Sequence, residues 1–183
     1  EARFSDTIHA AQAAYGRLRH MIVLGEPRED ELSLAPLIDG PDDHEAQVDL
    51  SADDESVIIL TSGTTGMPKM AAHSWTYPIA QTVTAYYWHN VGDDSIHMAV
   101  ADTGWAKAGW GKLYGQWLCE GAVFVYNFDR FDANVILPMF ARYNITTFCA
   151  PPTMYRMMIK QDLSHFDLSS IQHATTAGEA LNP

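Results

Sequence analysis

Short apolar runs alternate with amphipathic stretches along the chain from about residue 56 onward. The apolar runs have the length and the β-branched or aromatic content of strands, and they lie at residues 56–60, 70–73, 96–101, 122–126, 146–150 and 172–177. Stretches with helical periodicity lie between most of them, at residues 77–88, 109–119, 133–143 and 152–160. Strands and helices in alternation are typical of β-α-β units. The pattern therefore predicts an α/β fold, with a mainly parallel sheet and helices on both faces.

The first 55 residues follow a different pattern. A predicted amphipathic helix at residues 7–19 leads into a short predicted strand at residues 21–24. Residues 26–55 form the most acidic part of the chain and contain several Pro and Gly residues that interrupt regular structure. We predict an irregular connection there, with a short helix around residues 32–38.

Charge and cysteine content exclude several classes of protein. The chain has 11 Lys and Arg against 23 Asp and Glu, and its formal net charge of -12 argues against a nucleic-acid-binding surface. Cys119 and Cys149 belong to no C-x-x-C or Cys/His spacing, so we expect neither a disulfide framework nor a metal site, and we predict a cytoplasmic location. No apolar run reaches the roughly 18 residues needed to span a bilayer. We therefore expect no membrane span.

The two ends of the sequence lead us to expect a piece of a longer protein. Residue 1 is Glu rather than Met, and the chain stops at Pro183, shortly after a turn that contains Gly178. We interpret residues 1–55 as the end of an upstream α/β subdomain with an acidic connecting loop. Residues 56–183 are then an α/β core truncated at its C-terminus. No pattern in the sequence indicates an oligomeric state.

The segment at residues 61–69, Thr-Ser-Gly-Thr-Thr-Gly-Met-Pro-Lys, is the most informative part of the chain. Gly63 and Gly66 let backbone N–H groups approach a ligand closely, the Ser and Thr hydroxyls add donors, and Lys69 adds a positive charge. Such a loop suits a polyphosphate. It is not a Walker loop, because two residues separate the second glycine from the lysine. On composition alone, a hairpin turn that binds nothing remains open.

This segment closely resembles the phosphate loop of the AMP-forming acyl-adenylating superfamily, which includes acyl-CoA synthetases, luciferases and the adenylation domains of peptide synthetases. Residues 101–107, Ala-Asp-Thr-Gly-Trp-Ala-Lys, resemble the border of its acyl pocket. Together with Trp110 and Tyr114 they are especially similar to short- and medium-chain acyl-CoA synthetases. Residues 175–181, Thr-Thr-Ala-Gly-Glu-Ala-Leu, resemble the turn that holds adenine. The resemblance implies part of the large N-terminal domain of such an enzyme, with residues 56–183 as its nucleotide- and acyl-binding core.

The resemblance implies a two-step reaction. A carboxylate attacks the α-phosphate of Mg-ATP to give an acyl-adenylate and pyrophosphate, and the thiol of coenzyme A then takes the acyl group and releases AMP. A carboxylate oxygen is a poor leaving group whereas AMP leaves readily, and the first step depends mainly on positioning and charge stabilisation. The expected ligands are a short- or medium-chain fatty acid, ATP with Mg2+, and coenzyme A as co-substrate.

The resemblance also implies roles for single residues. Thr64 and Thr65 would hold the β- and γ-phosphates, and Lys69 would offset charge on the departing pyrophosphate. Lys69 and Thr64 are the expected catalytic residues. Trp105, and after it Trp110, is expected to line the acyl pocket, although a space-filling role for a Trp in a β-α connection stays open. The resemblance implies that Gly178, Glu179 and Ala180 bracket adenine. The full set of expected nucleotide-binding residues is Thr61, Ser62, Gly63, Thr64, Thr65, Gly66, Met67, Pro68, Lys69, Gly178, Glu179 and Ala180.

The sequence lacks other parts that the superfamily carries. These are the Tyr-Gly-x-Thr-Glu segment whose Glu holds Mg2+, the Asp that binds ribose, the hinge, and the C-terminal domain with its lysine. We therefore expect the metal ligand to lie beyond the C-terminal end, and the isolated chain to be inactive. Within the superfamily, an aryl-CoA ligase or a peptide-synthetase adenylation domain remains open. So does a non-catalytic nucleotide-binding module, or a structural fragment whose loop is empty.

Overall fold

In the computed structural model, which describes residues 2–40, 48–61 and 66–181, the chain divides into two units, Glu1–Asp49 and Leu50–Pro183. The interpretation of residues 1–55 and 56–183 as functional parts stays a prediction. None of the helices among the described residues combines the length and the apolar content that a bilayer crossing requires.

The first unit contains one longer helix and three short elements. Helix α1 begins and ends earlier than predicted, and the residue that follows it is Gly16, a residue type typical of helix C-terminal caps. The predicted strand at residues 21–24 and the predicted helix within residues 32–38 are both shorter in the structure, and one strand was not predicted. The elements are α1 (Ala2–Tyr15), β1 (Ile22–Val23), β2 (Leu32–Ser33), which pairs with β1 in parallel, and α2 (Ala35–Ile38).

The second unit opens with an antiparallel hairpin. Strand β3 (Glu55–Thr61) pairs with strand β4 (Lys69–Ser74), and Thr61 lies opposite Lys69 at the end of the ladder. Both predicted strands are confirmed, each slightly longer than expected. The remaining elements, in chain order, are α3 (Tyr77–Val83), a first π-helical turn (Thr84–Trp88), β5 (Ile96–Ala99), α4 (Ala106–Ala108), a second π-helical turn (Gly109–Leu113), α5 (Tyr114–Leu118), β6 (Ala122–Phe124), α6 (Ala133–Arg142), β7 (Thr147–Ala150), α7 (Pro152–Met158), a 3-10 turn (Leu163–His165) and β8 (His173–Thr176).

Four strands of this unit form a parallel sheet in the order β6-β5-β7-β8. Met98 on β5 and Phe148 on β7 pack with Phe140 of α6 in the main apolar core. His97, the residue before Met98 on β5, points the other way and hydrogen-bonds the Gly111 carbonyl in the second π-helical turn. Helices therefore cover both faces of the sheet, as predicted, and this explains why β7 is buried along its whole length.

The predicted helix boundaries need small corrections. The helix predicted at residues 109–119 begins at Ala106, because Trp105 keeps an extended backbone with φ -98° and ψ 139°. Its middle is a π-helical turn, a feature that apolar periodicity does not reveal. Asp132 caps the N-terminus of α6, since its carboxylate accepts a hydrogen bond from the Asn134 N–H at 2.9 Å.

Gly115 brings α5 into direct backbone contact with α3. A Cβ at this position would lie 2.5 Å from the Gln81 carbonyl oxygen and 3.0 Å from the Ala85 Cβ. We expect Gly115→Ala to lower the free energy of unfolding by about 1–3 kcal/mol, because a backbone atom cannot move aside as a side chain can. Gly109→Ala is the matched control, since its Cβ would meet only a Tyr114 ring carbon at 3.5 Å. Urea unfolding of both variants measures the difference, and equal midpoints would contradict the proposed contact.

Candidate nucleotide and acyl site

The β3-β4 hairpin presents the candidate phosphate loop. Thr61 and Lys69 close the ladder opposite each other, and the Thr61 hydroxyl donates to the Lys69 carbonyl at 3.3 Å. Gly66 has a φ of +138°, a conformation that L side chains rarely adopt, and a Cβ there would meet no atom within 4 Å. The other loop residues that the sequence singles out, namely Ser62, Gly63, Thr64 and Thr65, lie outside the described residues.

The described part of the loop faces open space. Met67 is 87 % exposed, and Pro68 and Lys69 are exposed as well. Within the described part of the chain, the Lys69 ammonium has no hydrogen bond or ion pair. It is therefore free to interact with a ligand near the loop.

The candidate adenine turn follows β8. Gly178 has a φ of +100°, and the side-chain carboxylate of Glu179 accepts two hydrogen bonds from Thr153. One comes from the Thr153 N–H at 3.2 Å and the other from its hydroxyl at 2.5 Å. Glu179 therefore ties the turn to the first turn of α7, and its side chain is engaged with protein rather than free for a ligand.

Three side-chain hydrogen bonds fix strand β8, two from residues outside the strand and one from its own His173. The Tyr155 hydroxyl of α7 donates to the Thr175 carbonyl at 2.8 Å, and burial raises the pKa of that phenol above its usual range. His89 Nδ1 shares a hydrogen bond of 2.9 Å with the Thr175 hydroxyl. The ring of His173 donates from Nε2 to the Trp88 carbonyl at 2.8 Å. These contacts hold the strand that leads into the adenine turn.

A cleft lies between β3 and the helical segment that follows Trp105. It has a volume of about 760 Å³, and we call it the tryptophan cleft. Trp110 is held there by Tyr77, edge to face at a centroid distance of 4.6 Å, and by Tyr114 at 5.2 Å. Trp105 is 55 % exposed, so it is a wall of the cleft rather than a residue of the apolar core. The lining comprises Ser56, Val57, Ile58, Ile59, Leu60, Trp75, Pro78, Thr103, Gly104, Trp105, Ala106, Gly109, Trp110 and Tyr114.

A second, smaller cleft lies beyond the carboxyl ends of β5 and β6. Its volume is about 390 Å³, and its walls are mostly apolar. Thr103 and Trp105 line both clefts, which therefore meet at these residues. Lys112 also lines the second cleft and is only 9 % exposed. We call this the lysine cleft.

A buried polar cluster lies between the parallel sheet and the second π-helical turn. The rings of His89 and His97 are 4.9 Å apart, and both residues are almost fully buried. Gly111 offers His97 a carbonyl, which only accepts, so His97 carries its hydrogen on Nε2 and accepts from the Thr147 hydroxyl at Nδ1. Burial, with a smaller effect of Lys107, lowers the pKa of His89 to about 4. Burial, with smaller effects of His89 and Lys107, lowers the pKa of His97 to about 3. Both imidazoles are therefore neutral near pH 7.

These placements bring together part of the predicted site. Trp105 and Trp110 share one cleft with β3, the strand that leads into the phosphate loop, whereas Glu179 and its neighbours do not line that cleft. Sequence reasoning missed Trp75, which lines the cleft, and Thr153, which holds Glu179. A Trp directly after a strand was an available signal for the first, but no local pattern links residues 153 and 179. Among the described residues, no group of three or more His, Cys, Asp or Glu is placed to hold a metal ion.

Comparison with known proteins agrees with this arrangement of motifs. The family model described as AMP-binding enzyme matches residues 3–183. Human acyl-coenzyme A synthetase ACSM4, mitochondrial, is 39 % identical over 153 residues, which cover 83 % of this chain and 26 % of that protein. The chain thus spans about a quarter of the length of this relative.

Solved structures of similar proteins share the fold. The anthranilate CoA ligase AuaEII, in complex with anthranoyl-AMP, matches with a TM-score of 0.82 and 26 % identity, over 98 % of this chain and 35 % of that chain. The Brucella canis acyl-CoA synthetase matches with a TM-score of 0.75 and 20 % identity, over 96 % of this chain and 33 % of that chain. The order of elements seen here is therefore shared with adenylate-forming enzymes.

Proposed function

Since this chain belongs to the AMP-binding enzyme family, we propose that its natural protein is an ATP-dependent acyl-CoA synthetase for short- or medium-chain fatty acids. The observation that carries the proposal is the position of the tryptophan cleft. One wall of this apolar cleft is β3, and the last residue of β3 opens the candidate phosphate loop. An acyl chain in the cleft can thus place its carboxylate next to bound phosphates.

The first step is nucleophilic attack by the substrate carboxylate on the α-phosphorus of ATP. A new bond forms between the carboxylate oxygen and phosphorus, the bond to the β-phosphate bridging oxygen breaks, and pyrophosphate leaves with the negative charge. Lys69 and the loop that contains Thr64 offset that charge, which grows as the bond breaks. The protein contributes mainly by holding the two reactants in line.

In the second step, the thiol of coenzyme A releases its proton to solvent and its sulfur bonds to the acyl carbon. The bond from that carbon to the adenylate oxygen breaks, and AMP departs with this oxygen. We propose that Trp105 and Trp110 hold the acyl group during both steps, by apolar contact rather than by hydrogen bonds. Mg2+ would neutralise phosphate charge, but the described residues contain no set of ligands for it. Mg2+ therefore enters the proposal only as the partner of the ATP phosphates.

The adenine turn acts through its backbone in this proposal. Glu179 is held by Thr153, so the peptide groups of Gly178 to Ala180 are presented in one arrangement. Ordered peptide groups recognise the edge of an adenine ring without having to be ordered on binding. The side chain of Glu179 is then a support of the turn rather than an adenine ligand.

Location is a separate part of the proposal. Cys119 and Cys149 are both free, which fits a reducing compartment such as the cytoplasm. The name of the human relative, acyl-coenzyme A synthetase ACSM4, includes the word mitochondrial. A cytoplasmic location stays a prediction.

The proposal predicts pyrophosphate exchange into ATP that depends on an added fatty acid. The natural protein that carries this sequence is incubated with ATP, labelled pyrophosphate and a series from acetate to dodecanoate. We expect the fastest exchange with acids of intermediate length, because the apolar cleft is of limited volume. Coenzyme A should then convert the exchange into net AMP release.

An aryl acid is the second candidate substrate, because the anthranilate CoA ligase matches over 98 % of this chain. Benzoate and anthranilate therefore belong in the same series. If only aryl acids support exchange, the proposed substrate becomes an aryl acid instead of a fatty acid. Exchange with no carboxylate at all, although ATP binds in calorimetry, would contradict the enzyme and favour a nucleotide-binding module.

A further inference from the structure

Lys112 is a lysine without a partner in an apolar setting. It lies in the second π-helical turn, is 9 % exposed, and lines the lysine cleft. Within the described residues, its ammonium has no hydrogen bond and no ion pair. A largely buried ammonium normally has a carboxylate or several acceptors around it, because much of its water has been removed. A partner for the Lys112 ammonium would therefore have to be a ligand in the lysine cleft.

Among the described residues, no carboxylate forms an ion pair with Lys112. Met98, Phe124 and Met154 are among the apolar residues that line the same cleft. Asp102 also lines it, but its carboxylate accepts a hydrogen bond from the Gly104 N–H at 2.7 Å and forms no ion pair with Lys112. Burial accordingly lowers the pKa of Lys112 from its ordinary value. A ligand anion would supply the ion-pair partner that Lys112 lacks among the described residues.

The shape of the cleft indicates which anion fits. Phosphate sites usually gather several donors, such as consecutive backbone N–H groups and an arginine. Here one ammonium stands among mostly apolar walls, an arrangement that suits a single carboxylate carried by an apolar body. The cleft meets the tryptophan cleft at Thr103 and Trp105, so one ligand can extend from one cleft into the other.

We propose that Lys112 binds a second carboxylate at the far end of the acyl chain, which makes the substrate a medium-length acid with a carboxylate at each end. The proposal rests on the function proposed above for its choice of acid. One carboxylate faces the phosphate loop and reacts, the apolar chain passes Trp105, and the other carboxylate pairs with Lys112. Lys112 thus determines specificity and takes no part in the chemistry.

The test compares octanedioate with octanoate in calorimetric titrations of the natural protein, without nucleotide. We expect octanedioate to bind about tenfold more tightly or better, the effect of one charge-assisted hydrogen bond in an apolar cleft. Lys112→Met should remove this preference and leave octanoate binding equal or tighter. Lys112→Arg should keep part of the preference, since the charge is retained.

The matched control is Lys107→Met. Lys107 lies in α4, five residues earlier in the same helical segment, and its amine is buried without a partner but does not line the lysine cleft. This variant removes the same charge from the same segment, and we expect it to keep the preference for octanedioate. If both variants lose the preference equally, the effect is long-range electrostatics and the proposal is wrong.

Melting temperatures separate binding from folding. Lys112→Met should melt at the same or a higher temperature than the unliganded natural protein, because an uncompensated charge is removed. Equal affinity of the natural protein for both acids would overturn the proposal. Lysine-dependent binding of octanedioate without any pyrophosphate exchange would instead reject the enzyme function and leave the binding role of Lys112 standing.

Discussion

Lowering the pH from 7 to 5 is expected to reduce the free energy of unfolding of the second unit by about 4 kcal/mol, with His89 and His97 contributing about 2 kcal/mol each. Both folded-state pKa values, about 4 and about 3, lie below the ordinary value of 6.5. Below pH 6.5 the unfolded chain takes up protons that the folded chain does not bind. The contribution of the two neutral histidines to the free energy of unfolding is therefore complete above about pH 6.5. It is lost progressively as the pH falls towards 3.

The cause is the position of the two rings between the sheet and the helical layer. Each ring is enclosed by protein, and protonation of either one would place a cation near Lys107 and next to the other imidazole. Carboxylates with lowered pKa values, such as Asp162 and Asp167, lose their contribution only near their ordinary value of 3.8. The interval from pH 7 to pH 5 therefore reports mainly on the two histidines.

Urea unfolding followed by tryptophan fluorescence measures this effect. All 5 Trp residues lie after residue 50, so the signal comes from the second unit alone. His97→Gln retains a donor and an acceptor but cannot take up a proton, and it should roughly halve the loss between pH 7 and pH 5. His20→Gln, which changes an exposed histidine of the first unit, should leave the loss unchanged. An equal loss in all three proteins would mean that the buried pair is not the source.

Replacing Lys69 with alanine is expected to slow acyl-adenylate formation by about 100- to 1,000-fold, the range found when one donor to a developing anion is removed. Negative charge moves onto the departing pyrophosphate as the transition state forms, so the loss should appear mainly in kcat and less in the KM for ATP. The side chain is exposed and unpaired within the described residues, so Lys69→Ala should fold normally. Lys160→Ala, another exposed lysine, is the control.

Single-turnover formation of the adenylate gives the rate directly. A normal rate in Lys69→Ala would remove this lysine from the catalytic residues. A rise in the KM for ATP with an unchanged kcat would make it a residue of ground-state binding alone. After either outcome, a substitution of Thr64 would test whether residues 61–69 bind phosphate.

The parallel sheet was predictable from the sequence because its strands are buried on both faces. Residues 147–150 are almost entirely apolar or β-branched, and the neighbouring strands carry similar runs. β2 was not predictable, since Leu32 and Ser33 form a strand only by pairing with β1. The π-helical turns were also missed, because they change the hydrogen-bond pattern and leave the apolar periodicity almost unchanged.

The candidate site was predictable only where its residues are adjacent in sequence. The loop at 61–69 and the turn at 178–180 are local motifs, and the sequence alone identified them as candidates. The support of Glu179 by Thr153, and the meeting of two clefts at Trp105, depend on contacts between distant elements. Such contacts are set by packing, which no single segment encodes.

The two clefts meet where Thr103 and Trp105 line both of them. A single codon at position 105 therefore affects how far a ligand can reach from one cleft into the other, since the size of this side chain sets the width of the passage. Substrate range could then change during evolution in one step, while the phosphate loop and the sheet stay as they are. Lys112 would gain or lose its role with that same step, although its own codon had not changed.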